Sequence, residues 1–299
     1  MSKKALIVTY SYAYLPALNA LLNALDYYGH NDLDVHIAHT QDLNPALIKL
    51  KQAQFSFNII THNVEPLLNN KQGLYINLMF MRYKIAQIIA NDYDAICHLD
   101  GDVLLLDNIQ KYFTIAALTD LIPCAEFPHT ETNLKYFSTM DPDLAACAFP
   151  MANFPIFYNP KKHIDMMAYI WDHFPEPTNT NRERNNEMYV FNYAIYACKK
   201  IPYILPLPGN AWVGDKYMYH ADIRSYFLAG ELGIYDFLLD RIHIIHNKYW
   251  KEGVANSEIT RVIQAGVNLD RVNANINAIT EATRFFNTSC KTKLTDLLS

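Results

Sequence analysis

The chain has 299 residues, 51% of them hydrophobic, with a net charge of -5. That supports a large buried core, excludes a disordered chain, and argues against a general nucleic-acid binder, whose field would be basic. Five widely spaced cysteines, Cys97, Cys124, Cys147, Cys198 and Cys290, contain no C-x-x-C, so neither a disulfide framework nor a zinc site is expected and a reducing cytoplasm is the simplest home.

Ser2-Lys3-Lys4 before an apolar run has the outline of a signal peptide, but Thr9, Ser11, Pro16 and Asn19 interrupt it too early for a leader or a membrane span. Ala5 to Thr9 therefore reads as the first strand. Leu15 to Tyr28 is helix-like, and Leu33 to His39 and Phe55 to Thr61 are strand-like. This alternation predicts a mostly parallel, doubly wound α/β sheet with its ligand crevice at the carboxyl ends of the strands. A helix follows over Leu74 to Asn91, with Leu74, Leu78, Met81, Ile85 and Ile88 at helical spacing. Arg82 leaves this helix among Leu78, Met79, Ile85 and Ala86, an apolar setting in which a guanidinium needs an anion. Either a phosphate or a nearby aspartate would serve.

The next stretch, DAICHLDGDVLLLDN from Asp94 to Asn108, is an apolar strand that ends in two aspartates one residue apart. Two adjacent ionised carboxylates in a half-buried cleft repel unless a cation lies between them or they share a proton. Asp100 and Asp102 therefore ask for a hard divalent ion such as Mn2+ or Mg2+, which leaves positions open for the oxygens of a diphosphate. The competing reading is an acidic turn that caps a strand.

Together, Arg82-Tyr83-Lys84 and HLDGDVLLLDN resemble the glycosyltransferases of the GT-A fold, most nearly glycosyltransferase family 8, which includes glycogenin and the bacterial lipopolysaccharide galactosyltransferases. The resemblance runs, with decreasing sharpness, over roughly residues 5 to 250. It implies that Asp100 and Asp102 bind Mn2+, with Mg2+ as the alternative, and that Asp100, Gly101 and Arg82 contact a UDP-sugar donor. YSYAYLPALNALLNAL is similar to the family's nucleotide-binding turn and first helix, which places Tyr10, Ser11 and Tyr12 around the uracil. An aromatic face and a hydroxyl suit that base.

A further strand is expected at Leu121 to Phe127, followed by a polar loop with His129, Glu131 and Asn133 at the active-site edge. ANFPIFYNP resembles the family's asparagine-led strand, so Asn153 is assigned a place near the donor sugar. The helix His163 to His173 reads as structural, and PEPTNTNRER, Pro175 to Arg184, as a loop that closes over the donor. NNEMYVFNYAIY then begins a helix in which Glu187 and Asn192 resemble the family's acidic residue and downstream asparagine. The match departs at Met188, where the bacterial galactosyltransferases carry a glutamine. Glu187 is assigned the role at the reacting carbon, while a helix-first-turn acid remains its competing explanation. Trp212, after the turn-rich PLPGN, stacks on a sugar or lies in the core.

Arg241 to Ile245 is read as a strand end leading into His246-Asn247-Lys248, similar to the family's late histidine and lysine. The resemblance implies that His246 completes the metal site and Lys248 holds the diphosphate, with His243 as an alternative ligand. His246 is preferred because it is placed at the strand's mouth. Beyond Gly253, Leu269, Val272, Ile276, Ile279 and Phe286 form an amphipathic stripe. The division expected is a GT-A domain over residues 1–253 and a C-terminal helical appendage over 254–299.

The function expected is metal-dependent transfer of a hexose from a UDP-sugar to a carbohydrate, glycolipid or protein hydroxyl, with retention implied by the family. The alternatives are a non-catalytic sugar-nucleotide or glycan-binding protein and a sugar-1-phosphate nucleotidyltransferase, although the glycine-rich basic loop of the latter is not seen after the first strand. A haloacid-dehalogenase-like phosphatase would want Thr or Val where this chain has Leu104.

Overall fold

A computed structural model describes residues 2–9, 15–40, 55–68, 74–101, 103–105, 108–124, 155–173, 187–204, 211–213 and 244–247. At 15–16, 74–76, 103–104, 187–189, 204, 211–213 and 244–247 the description is of the backbone alone.

The first half alternates as expected, with β1 (Lys4–Thr9), α1 (Leu15–Tyr27), β2 (Leu33–His39), β3 (Asn58–Asn63), α2 (Leu74–Ile89) and β4 (Ala95–His98). β3 starts three residues later than the sequence suggests. Phe55 and Phe57 precede it, with stacked rings 5.1 Å apart, and pack toward the core rather than pairing in the sheet. After β4 come β5 (Val103–Leu105), α3 (Gln110–Leu118), β6 (Leu121–Cys124), β7 (Ile156–Tyr158), α4 (Ile164–Asp172), α5 (Glu187–Ala197), β8 (Ile201–Ile204), β9 (Ala211–Val213) and β10 (Ile244–Asn247).

Seven strands form one sheet in the order β3-β2-β1-β4-β7-β6-β8, parallel except for β7, which runs antiparallel to β4 and β6. The continuous apolar strand Ala5-Leu6-Ile7-Val8 is fully buried, because helices cover both faces of a parallel sheet. Leu6 and Val8 belong to the layer shared with α1 and α3. Ala5 and Ile7 belong to the layer shared with α2, α4 and α5. On α2 the expected apolar stripe holds at Leu78, Met81 and Ile85 but not at Ile88, which is 62% exposed near the helix end.

β5, β10 and β9 make a second, three-stranded sheet. Among the described residues no helix is long and apolar enough to cross a membrane. The proposed C-terminal appendage, residues 254–299, lies outside the described residues.

Candidate active site

The carboxyl ends of β1 and β4 meet where the sequence reading puts the crevice. Leu99 N–H donates to the Ile7 carbonyl at 3.3 Å, which fastens the exit of β4 to β1 just before Asp100. Arg82 reaches this edge from α2, where Leu78, Met79, Ile85 and Ala86 around it are all buried. Its guanidinium cannot escape to water there, and only 3% of the side chain is accessible. Of the two anions the sequence left open, a phosphate or an aspartate, the fold supplies the aspartate. Arg82 Nη2 donates to Asp100 Oδ1 at 3.0 Å, while Asp100 keeps 18% of its side chain accessible. The charge-assisted bond compensates the arginine's desolvation and fixes one face of the carboxylate, while the aspartate retains access to solvent.

Beneath this pair is a layer that the sequence reading did not single out. His98 is fully buried, its Nε2 lies 2.6 Å from the Tyr158 hydroxyl, and the Tyr83 ring stands edge-on to it at 4.9 Å. Among the described residues His98 Nδ1 has no hydrogen-bond partner. Burial and the Arg82 charge hold the imidazole well below its ordinary pKa, so it is neutral. The signal was available in strand alternation, because residues two apart share a face, and His98 is two residues before Asp100.

Gly101 follows in a turn and is buried. Among the described residues a methyl group placed there would meet only Val8 Cγ1, at 3.8 Å, an ordinary contact.

The second sheet brings a distant segment to the same edge. β10 pairs antiparallel with β5 in a register that sets His246 opposite Val103, Ile245 opposite Leu104 and Ile244 opposite Leu105. His246 thus pairs with the residue that directly follows Asp102. Opposed Cα atoms in such a ladder lie about 4.5–5.5 Å apart. On its other side β10 runs parallel to β9, with Trp212 beside His246. One expectation is corrected here. His246 is an internal residue of β10 rather than a residue at the strand's mouth, because the strand begins at Ile244 and extends to Asn247.

Glu187 is the first residue of α5, and Asn192, farther along that helix, is 4% exposed. Tyr10, Ser11, Tyr12, Asp102, His129, Glu131, Asn133, Asn153, the loop 175–184, His243 and Lys248 lie outside the described residues. Among the described residues no group of three or more His, Cys, Asp or Glu side chains is placed to hold a metal. Of the three expected ligands, that description includes only the side chain of Asp100. The described part of that set is an accessible, oriented carboxylate at Asp100 and a backbone register that pairs His246 with the residue after Asp102; a carboxylate oxygen of this kind is a ligand that suits a hard divalent ion.

No protein-family model and no curated protein sequence matches the chain. Solved structures do. Mouse xyloside xylosyltransferase 1 in its apo form is similar with a TM-score of 0.55 at 14% identity, over 83% of this chain and 98% of that one. The glycosyltransferase GlyE of Streptococcus pneumoniae is similar with a TM-score of 0.55 at 13% identity, over 99% of this chain and 64% of that one. The galactosyltransferase LgtC, in complex with donor and acceptor sugar analogues, is similar with a TM-score of 0.52 at 11% identity, over 94% of this chain and 95% of that one. The chain spans about half, 51%, of the bifunctional glycosyltransferase WbbM. At these identities the likeness is one of fold, and the chain has the GT-A-like α/β fold that these glycosyltransferases share.

Proposed function

We propose that this protein is a metal-dependent glycosyltransferase that moves a hexose from a UDP-sugar to an acceptor hydroxyl. The observation that carries the reading is the register of β10 on β5, which returns His246 to the residue beside Asp102. A segment more than a hundred residues downstream is thereby paired, along the backbone, with the strand that follows the D-x-D, and a shared ligand set requires the two segments to be neighbours in the fold. The Arg82–Asp100 pair and the glycosyltransferase folds of the similar structures support the same reading.

In this proposal Asp100, Asp102 and His246 hold Mn2+, or Mg2+ in its place. When bound, the ion supplies Lewis-acid stabilisation to a departing diphosphate. The chain's own residues do the remaining work. Tyr10, Ser11 and Tyr12 directly follow β1 and bind the uracil, and Gly101 lets the donor approach the backbone. Arg82 and Lys248 add positive charge against the phosphates, so that charge developing on the leaving group meets fixed donors. Glu187, at the start of α5, and Asn153, just before β7, orient the reacting sugar.

Met188 has no amide with which to assist the anomeric carbon, so Glu187 carries that role, and retention of configuration follows the family's pattern. The acceptor is a carbohydrate, glycolipid or protein hydroxyl. The site is assigned to residues 1–253, and residues 254–299 form a helical appendage. A cytoplasmic location fits the cysteine usage.

The test is release of UDP from a panel of UDP-sugars, with Mn2+ or with a chelator. Slow hydrolysis of one donor that needs the metal supports the proposal. Incorporation of UTP into a sugar nucleotide from a sugar 1-phosphate would replace it with a nucleotidyltransferase, and UDP binding with no turnover on any acceptor would replace it with a binding protein.

A further inference from the structure

β8 is the last strand of the seven-stranded sheet, and among the described residues no strand pairs with its outer side. Its pairing with β6 sets Ile201 beside Leu121 and Tyr203 beside Pro123. Ile122 and Cys124 belong to the layer shared with α2, α4 and α5. By strand alternation Leu121 and Pro123, and with them Ile201 and Tyr203, face the α3 side. α3 packs on β4, β6 and β7 and ends at Leu118, just before β6 begins. Leu118 is 76% exposed, Ile201 56% and Tyr203 39%. Single exposed apolar residues are ordinary, but three gathered where a helix ends and a sheet edge begins make a patch that calls for a cover.

The margin of the patch carries one charge of each sign. Lys162 Nζ lies 2.7 Å from Asp120 Oδ1, and 44% and 75% of the two side chains are accessible. The lysine's hydrogen bond holds the Asp120 carboxyl below the usual carboxylate range, so the aspartate is ionised. His163 Nε2, 3.2 Å from the Asp120 carbonyl, fastens this corner to the start of α4.

We propose that the Leu118, Ile201 and Tyr203 patch is the interface of a homodimer, in which a second copy of this chain covers it about a twofold axis. An apolar centre with a polar rim is the anatomy of such an interface. An anionic lipid surface would want a net positive margin, and the exposed Asp120 opposes it. A lysine and an aspartate side by side are instead complementary to themselves, since a twofold axis turns Lys162 toward the partner's Asp120 and makes alternating signs. Pro202 denies β8 one donor, so the second copy meets this side-chain face rather than adding strands to the sheet.

The experiment is sedimentation equilibrium of the whole chain up to tens of micromolar, with circular dichroism as the check on fold, in wild type, Leu118→Asp, Ile201→Asp, Lys162→Asp and the exchange Lys162→Asp with Asp120→Lys. Wild type should follow a monomer–dimer equilibrium. Leu118→Asp and Ile201→Asp should each raise the dissociation constant about tenfold or more. Lys162→Asp should also weaken the dimer, and the exchange, which restores alternating signs, should recover most of that loss. Wild type that stays monomeric throughout overturns the proposal, and so does a dimer that Leu118→Asp leaves unchanged. Leu118 is the most exposed of the three, so its variant keeps the test open should Ile201→Asp fail to fold. A monomer that binds phosphatidylserine vesicles, with binding lost in Leu118→Asp, would replace the second copy with a lipid surface.

Discussion

Lowering the pH from 7 to 4.5 should cost this fold several kcal/mol, and the reason lies in its buried neutral histidines, His36 and His30 among them with His98 and His163. Tyr93 donates its only hydroxyl proton to Asp34 Oδ2 at 2.8 Å. His36 Nε2, 2.9 Å from the Tyr93 oxygen, must then donate to it, which leaves His36 Nδ1 an acceptor for His62 Nε2 at 2.8 Å. The directed chain from His62 through His36 and Tyr93 to Asp34 closes the β2–β3 edge and has no place for a second proton on His36. Burial, with the neighbouring His62 adding to it, lowers the His36 pKa from 6.5 to about 4. Burial lowers His30 from 6.5 to about 4 in the same way.

A histidine with a depressed folded pKa stabilises the fold fully above the unfolded value and loses that contribution as pH falls from 6.5 toward 4. At pH 4.5 the loss is about 2.5 kcal/mol for each of His36 and His30, or about 5 kcal/mol for the two together. Asp94 and Asp165 have depressed values, so their losses come below pH 3.8 and do not overlap this window. Urea unfolding at half-unit steps from pH 7 to 4.5 measures the slope, and His36→Phe should reduce the loss at pH 4.5 by about 2.5 kcal/mol. Long-range proton–nitrogen NMR at pH 7 should show the Nε2–H tautomer at His36. Stability independent of pH across this range, or a His36 ring that titrates near 6.5, would refute the reasoning.

Other consequences follow from the site and its supports. Tyr158→Phe removes the hydroxyl from the buried His98 bond and should cost about 1–3 kcal/mol in urea unfolding, since the imidazole loses a partner it cannot replace with water. Asp100→Asn leaves Arg82 buried without the carboxylate's charge and should destabilise by about 1–3 kcal/mol, below the value for a fully buried pair because Asp100 is partly solvated. Gly101→Ala should fold with stability within about 0.5 kcal/mol of wild type, because among the described residues its methyl group meets only Val8, at an ordinary contact distance. A weaker UDP-sugar KM in that variant would show that the donor approaches the backbone there.

The sequence was most legible where one physical signal dominated. β2 was read to the residue because Leu33, Val35 and Ile37 alternate with Asp34 and His36 between turn signals, and α4 was bracketed by His163 and His173, which prove to be its two caps. Arg82's need for an anion was legible from helical spacing alone. Its partner, Asp100, depends on how far along α2 the arginine lies when β4 ends, which is a tertiary distance that no periodicity encodes. The antiparallel course of β7 and the pairing of β10 with β5 were illegible for the same reason, since each joins segments far apart in sequence. The His98–Tyr158 layer was hidden differently. His98 reads as part of the motif's approach, and only the insertion of β7 beside β4 supplies its tyrosine.

The most direct test of metal-dependent sugar transfer compares wild type with Asp102→Asn on the UDP-sugar that wild type hydrolyses, following UDP release across a Mn2+ titration with circular dichroism on both proteins. The account predicts Mn2+-dependent release in wild type and its loss in a variant with an unchanged fold. Equal release from both proteins, or release indifferent to Mn2+, would contradict it.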